Sequence, residues 1–370
     1  MILMILINSS NIHRGGAVQV ATSFIAEMCS MELPSGLSLL ISSEVKRNLE
    51  AAGCVIPESL PHCIEDTSGF DFLRVIGKSQ LDKFDAVFTV FGPLYRWSTP
   101  FRSIVGFAQP WIIYPNNECY AMLPPLQRLK MRLKFRIQSW FFRRADMIVV
   151  ELEHVRQGLV RELGIPPERI HVVHNCLSSL YQKEELWRPV DIPEVACDLR
   201  LGFLGRNYLH KNTAIFPRVA EILRRKYGID AKFFVTFTED EWQACSPEFR
   251  AACVNLGPLN VAQCPSFYRA MDAVVFPSLL ECFSATPLEA MAMECPLIAS
   301  DRPFNRDVCG AHAHYFDPLD PESAAARIAA VFEGDGPDPQ ALRAARDHAI
   351  NFSSPRRRAE KYLELISSAR

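Results

Sequence analysis

Residues 276–300 read FPSLLECFSATPLEAMAMECPLIAS. An apolar run closing at Phe276, a short loop around Glu281, a helix opening at Thr286 and a second apolar run in CPLIAS spell strand, loop, helix, strand. That is the size and order of one βαβ unit. The rhythm continues on the N-terminal side, with RLGFLG, a helical pattern over 214–227, AKFFVTF, the loop VNLGPLN and DAVVFP. A separate, earlier series runs MILMILI, a helical pattern over 18–28, LSLLIS, DAVFTVF, SIVGFA, DMIVVE and RIHVVHN. Short apolar runs alternating with helices imply parallel sheets with crossover helices.

Between the two series lies a charged, irregular stretch, 183–198, containing Pro189 and Pro193. It reads as an interdomain linker. The expected fold class is therefore α/β, with two Rossmann-like doubly wound domains at 1–188 and 189–370. A charged helix at about 355–370, bearing Tyr362, Leu363, Leu365 and Ile366, is expected to pack back on the N-terminal domain as a cap.

Length and composition agree. At 370 residues the chain exceeds one comfortable core, since compact domains hold roughly 100–200 residues. Its 49% apolar and 22% charged residues suit a globular protein. A net charge of −2 gives no general attraction to nucleic acid, so no nucleic-acid partner is expected. Twelve cysteines are scattered without a C-x-x-C pair, which suits reduced, packed thiols in a cytoplasmic protein. MILMILI is too short for a signal peptide core or a membrane span and reads as a first strand.

Ligands of open α/β sheets bind beyond the carboxyl ends of the strands. After RLGFLG come Gly205, Arg206, His210 and Lys211. Fixed cations there could stabilise the charge that grows on a departing diphosphate. In the quoted stretch Glu281 and Glu289 flank the loop. Thr286, Pro287, Leu288 and Glu289 also spell a capping box with proline at the first helical position, so Glu289 has two readings. Either its carboxylate returns to the Thr286 N–H, or it accepts hydrogen bonds from a ribose diol.

Glu281-x7-Glu289 within PSLLECFSATPLEAMA, preceded by GRNYLHK, resembles the retaining GT-B glycosyltransferases of the group-1, GT4-type family. The likeness takes in the Gly15-Gly16 loop, the turn at His174-Asn175 and DAVVFPS. It implies two domains facing an interdomain cleft and metal-independent transfer of a hexose-type sugar from a UDP- or GDP-sugar. The acceptor it implies is a glycan or lipid-linked molecule of a bacterial surface polysaccharide such as lipopolysaccharide O-antigen or capsule. No cofactor is implied, because the nucleotide sugar is a substrate.

Residue by residue, the resemblance assigns the diphosphate to Arg206 and Lys211, the ribose to Glu289 and the transferred sugar to Glu281. Backbone N–H groups of Phe283, Ser284, Ala285 and Thr286 would meet sugar or phosphate, Gly205 would lie beside the diphosphate, and the loop holding Gly257 would flank the base. Gly15 and Gly16 would let the backbone approach the diphosphate. Gln109 and Trp111 would lie on the acceptor side. Two positions depart from the family pattern: Cys282 and Ser284 stand where glycines are common, and Gln109 where a histidine is common. The neutral amide motivates a second reading, a nucleotide-sugar-binding partner subunit with impaired catalysis. A GT-B disaccharide synthase or phosphorylase is a third.

No D-x-D motif occurs, and His312 with His314 would face opposite ways on an extended segment, so no metal site is expected. The first loop, NSSNIHRGGA, lacks the G-x-G-x-x-G of dinucleotide enzymes. Residues 127–144, QRLKMRLKFRIQSWFFRR, carry seven Lys or Arg and no Asp or Glu. They are a candidate for peripheral attachment to an anionic surface, the inner face of the cytoplasmic membrane, although their pattern is not cleanly amphipathic at period 3.6.

Overall fold

The computed structural model describes residues 3–68 and 81–368. Met1 and Ile2 of MILMILI, and Ala369 and Arg370 of the terminal segment, lie outside the described residues. The chain forms two compact units. The first comprises Met1–Asn116, Leu123–Asn175 and Ser354–Arg370, the second Asn117–Met122 and Cys176–Ser353.

In the first unit, β1 (Ile5–Ser9), β2 (Leu37–Ile41), β3 (His62–Ile64), β4 (Ala86–Thr89), β5 (Arg102–Gly106), β6 (Met147–Val150) and β7 (Ile170–Val172) form one sheet. Its order is β3-β2-β1-β4-β5-β6-β7, and every pairing is parallel. In the second unit, β8 (Leu199–Phe203), β9 (Ala231–Val235), β10 (Cys253–Asn255), β11 (Ala273–Phe276), β12 (Leu297–Ser300) and β13 (His314–Phe316) run β10-β9-β8-β11-β12-β13, again all parallel. Each sheet therefore winds outward in both directions from a central pair, β1/β4 and β8/β11. Two doubly wound sheets on one chain are the GT-B architecture. The inner strands β4, β6, β11 and β12 are fully buried, because helices cover both sides of each sheet.

Local sequence explains the helix starts. Proline stands in the first turn of Pro125–Arg144, Pro247–Ala252, Pro303–Cys309, Pro321–Val331, Pro339–Asn351 and Pro355–Ser367, where its missing N–H costs nothing. Glu153–Leu163 ends at Gly164 in the left-handed region, which only glycine adopts without a Cβ penalty. The terminal helix Pro355–Ser367 belongs to the first unit. Tyr362 meets Phe24 edge-on at 5.0 Å, and Leu363 and Ile366 are buried beside it. Each such side chain contributes roughly 1.5–3 kcal/mol of burial.

Three expectations need amending. The stretch 183–198 is not a free linker, for the chain leaves the first unit at Asn175. The Trp187 indole donates to Leu180 O at 2.7 Å, Arg269 stacks over its ring, and Arg188 N donates to Ala262 O. Composition marks the segment as irregular but cannot register these partners. The expected loop VNLGPLN begins only at Leu256, since Val254 and Asn255 pair with β9. The pattern over 214–227 is a short helix, Phe216–Ile222, followed by a wider π-type turn, Leu223–Tyr227.

Among the described residues, no helix is long and apolar enough to cross a membrane.

Candidate functional site

In the second unit the winding reverses at the central pair, β8/β11, the switch point beyond whose carboxyl ends open α/β sheets bind their ligands. The loop after β8 and the loop after β11 are tied together, with Leu279 N donating to His210 O at 2.8 Å. Across that tie Lys211 Nζ lies 2.6 Å from Glu281 Oε1. Both side chains are mostly buried, at 16% and 11% exposure. The ammonium also lies 5.2 Å from the centroid of the Phe276 ring. A cation and a carboxylate distant in sequence are thus one ion pair. Removing one partner of such a desolvated pair typically costs about 3–5 kcal/mol.

His210 stacks on Tyr208, and its pKa is lowered by burial, with Lys211 adding to the effect and Glu281 opposing it. The imidazole is therefore biased to its neutral form beside the pair. Arg206, exposed, gives its Nε to both oxygens of Glu241 at 2.9 and 3.0 Å. That carboxylate also caps Glu239–Gln243 by accepting from Thr238 N. Burial opposes its ionisation most strongly, yet the Thr238 bond and Arg206 together hold the Glu241 pKa below the ordinary value. Gly205 N donates to Thr236 Oγ1 at 3.0 Å, and Gly257 follows β10 with positive φ.

The Glu289 carboxylate does not return to the Thr286 N–H. The helix is Thr286–Ala292 with Ala285 at the cap position, and no side chain caps it. The Glu289 carboxylate instead accepts from the Tyr268 hydroxyl at 2.8 Å. Burial raises its pKa, and Tyr268 and Tyr181 pull it partly back. The Tyr181 hydroxyl is buried near the carboxylate but completes no hydrogen bond of normal geometry. The capping box fails because Thr286 is itself inside the first helical turn. Phe283, Ser284 and Ala285 are half-buried on the loop, Thr286 is buried, and Cys282 is packed inward.

The first unit has its own cavity at the carboxyl ends of β1 and β4, of about 630 Å³. Asn8, Asn11, His13, Arg14, Gln109 and Gln138 are among its lining. Gly15 follows at φ 67°, a conformation that favours glycine, and Gly16 opens the helix Gly16–Cys29 with nothing within 4 Å of where a Cβ would stand. Trp111 is not among the residues lining this cavity, for its indole lies flat on Phe135 at 5.8 Å. Burying that ring against the long helix outweighs leaving it open to solvent.

Sequence reasoning missed several partners. Glu241 showed only its capping signal, and Tyr268 and Tyr181 showed none. The segment Asn117–Met122 was unforeseen: it packs within the second unit, where Glu118 pairs with Arg302 at 2.7 Å. Burial pushes the Cys119 thiol up to about 11, with the charges of Glu118 and Glu281 adding. Among the described residues no group of three or more His, Cys, Asp or Glu is arranged to hold a metal ion. The His312 ring lies 4.8 Å from that of His348, tilted by 33°.

Comparison with known proteins bears on both units. Residues 198–334 match the family model described as glycosyl transferases group 1, and residues 47–178 match glycosyltransferase family 4. D-inositol 3-phosphate glycosyltransferase 1 of Catenulispora acidiphila is 26% identical over 235 residues, covering 57% of this chain and 53% of that protein. The O-antigen chain mannosyltransferase RfbU of Salmonella typhimurium is 24% identical over 176 residues, 46% of each chain. The chain thus spans about half the length of the curated relatives it matches. Among solved structures, Anabaena HepE in complex with UDP superposes with a TM-score of 0.64 at 14% identity, covering 99% of this chain and 100% of that one.

Proposed function

We propose that this chain, a glycosyltransferase of group 1 by the family regions in both its halves, transfers a sugar with retention from a UDP- or GDP-sugar to a glycan or lipid-linked acceptor. The observation that carries the reading is the Lys211–Glu281 pair joining the loops after β8 and β11. A diphosphate gains charge as its bond to the sugar breaks, and Lys211, fixed by Glu281 before the substrate arrives, is pre-organised to meet that charge. Arg206, on the loop after β8 and held through Nε by Glu241, would add a second cation.

Glu281 would then bond to hydroxyls of the transferred sugar. Glu289 would take the ribose diol, oriented by Tyr268, while Gly205, Gly257 and the backbone from Phe283 to Thr286 border the donor. The bond from the anomeric carbon to the diphosphate breaks, the bond to the acceptor oxygen forms on the same face, and the diphosphate takes the acceptor proton. None of these steps needs a metal or a cofactor in the proposed scheme. The acceptor would enter by the first-unit cavity, where Gln109 offers a donor and an acceptor but no titrating group. The UDP complex of the Anabaena protein supports a nucleoside diphosphate, and the Salmonella relative supports surface-polysaccharide acceptors.

The experiment is transfer and donor hydrolysis by the purified chain, beside a thermal-shift panel of nucleoside diphosphates. A nucleotide at 100 times its Kd stabilises by about 2.7 kcal/mol. Glu281→Gln and Lys211→Met should each lower turnover at least a hundredfold. Unchanged turnover in both, with the fold intact, would remove the assigned roles. Nucleotide binding without transfer to any glycan or lipid-linked acceptor would favour the impaired partner subunit that Gln109 suggests.

A further inference from the structure

The basic stretch is all but the first two residues of the helix Pro125–Arg144, which has twenty residues and is about 30 Å long. Its inner face is largely apolar, with Phe135, Phe141 and Phe142 buried beside Gln138. Its outer face is also apolar. Leu126, Leu129, Leu133 and Ile137, spaced three, four and four residues apart, are exposed at 65%, 64%, 58% and 38% among the described residues. That spacing lines them along one ridge. Trp140 continues the ridge, and the 69%-exposed Trp97 meets it edge-on at 4.8 Å. Exposed Lys130 and Lys134 lie on one flank of the ridge, exposed Arg136 on the other. Two opposed apolar stripes cancel in a 3.6-residue periodicity, which is why the sequence looked poorly amphipathic.

We propose that this ridge is a membrane-docking face, seated in the interface of a bilayer rich in anionic phospholipid. Charge complementarity selects that occupant: the helix has seven Lys or Arg and no Asp or Glu, in a chain of net charge −2. A row of four aliphatic side chains with cations on both sides and tryptophans at one end matches the depth profile of an interface. The leucines enter the acyl boundary, the lysines and arginines stay at the phosphates, and the indoles sit at headgroup level. The inference does not depend on the sugar-transfer reading and is tested without it.

The test is flotation of the purified full chain with phosphatidylcholine vesicles, with and without phosphatidylglycerol, at low and physiological salt. Binding to the anionic vesicles alone, weakening with salt, is expected. Lys130→Gln with Lys134→Gln and Arg136→Gln should weaken it about a hundredfold, at about 1 kcal/mol per cation near the surface. Leu129→Ser with Leu133→Ser should weaken it at least tenfold while leaving the melting temperature unchanged, because both side chains are already in water. Equal flotation of the leucine variant would overturn the proposal by making the attraction purely electrostatic. So would absence of flotation, or concentration-dependent self-association abolished by the leucine variant, which would assign the ridge to a second copy of the chain.

Discussion

Replacing Glu151 by Gln should flatten the pH dependence of the first unit's stability. Glu151 follows β6 and is 5% exposed. Burial pushes its carboxyl up to about 7 from the ordinary 4.5, against the opposing pull of Arg358 and of a hydrogen bond from Asn175. Arg358 comes from the terminal helix and donates to Asn175 Oδ1 and, at 2.8 Å, to Ser23 Oγ. Below about pH 4.5 the carboxyl is protonated in both folded and unfolded chains. Above about 7 it is ionised in both, and the folded state bears the desolvation cost. Between these values the folded state holds the extra proton, so stability falls as pH rises through the window. The loss is on the order of 3 kcal/mol for this group alone.

The amide of Gln is neutral at every pH, so the difference between wild type and Glu151→Gln isolates the term from other titrating groups. Urea unfolding between about pH 5 and pH 8, read by hydrogen exchange in peptides from β6 and from Pro355–Ser367, confines the measurement to the first unit. The wild type should lose stability relative to the variant across that range. A 3 kcal/mol change corresponds to a urea midpoint shift of roughly 1–3 M at an m-value of about 1–3 kcal/mol/M. Parallel pH profiles for the two proteins would refute the assigned burial and ionisation of Glu151.

Three further predictions rest on local geometry. A Cβ at Gly106 would fall 1.7 Å from Val90 O and 2.8 Å from Val90 C, both backbone, so Gly106→Ala should cost more than about 4 kcal/mol or leave no soluble folded protein. Gly16→Ala meets empty space and should be neutral or stabilising by up to about 1 kcal/mol; lost transfer with retained stability there would mean that a ligand needs the space. Tyr268→Phe keeps the buried ring but removes the donor to Glu289, which should lower second-unit stability by about 1.5–3 kcal/mol at alkaline pH. Because that bond favours the ionised carboxylate, the cost should shrink as pH falls and Glu289 takes a proton. Denaturation curves whose Tyr268→Phe deficit is the same at acid and alkaline pH would contradict this.

The site was legible where its signal is local. The strands, the loops that follow them, and the positions of Lys211, Glu281 and Glu289 could all be read because apolar period and turn chemistry act over a few residues. Partnership was not legible. The sequence assigns Lys211 to the diphosphate and Glu281 to the sugar, with no sign that the two side chains form one pair. The Thr286 capping box was a sound local pattern that lost to a tyrosine twenty-one residues away in sequence. The basic stretch looked irregular because its burial on one side leaves a second apolar stripe outward, a distinction that only packing makes.

By itself, the sequence determined that this chain builds two parallel α/β sheets and puts cations and carboxylates beyond the strand ends. Each of those features is set by a stretch short enough to be fixed by its own residues. Tertiary structure decided the strand orders, the crossing at Asn175 and the return of Pro355–Ser367 to the first unit. It also decided the turning of Glu289 to Tyr268 and the outward face of Pro125–Arg144. These depend on which surfaces lose water against which others, a property of residues far apart in the chain that no local window contains.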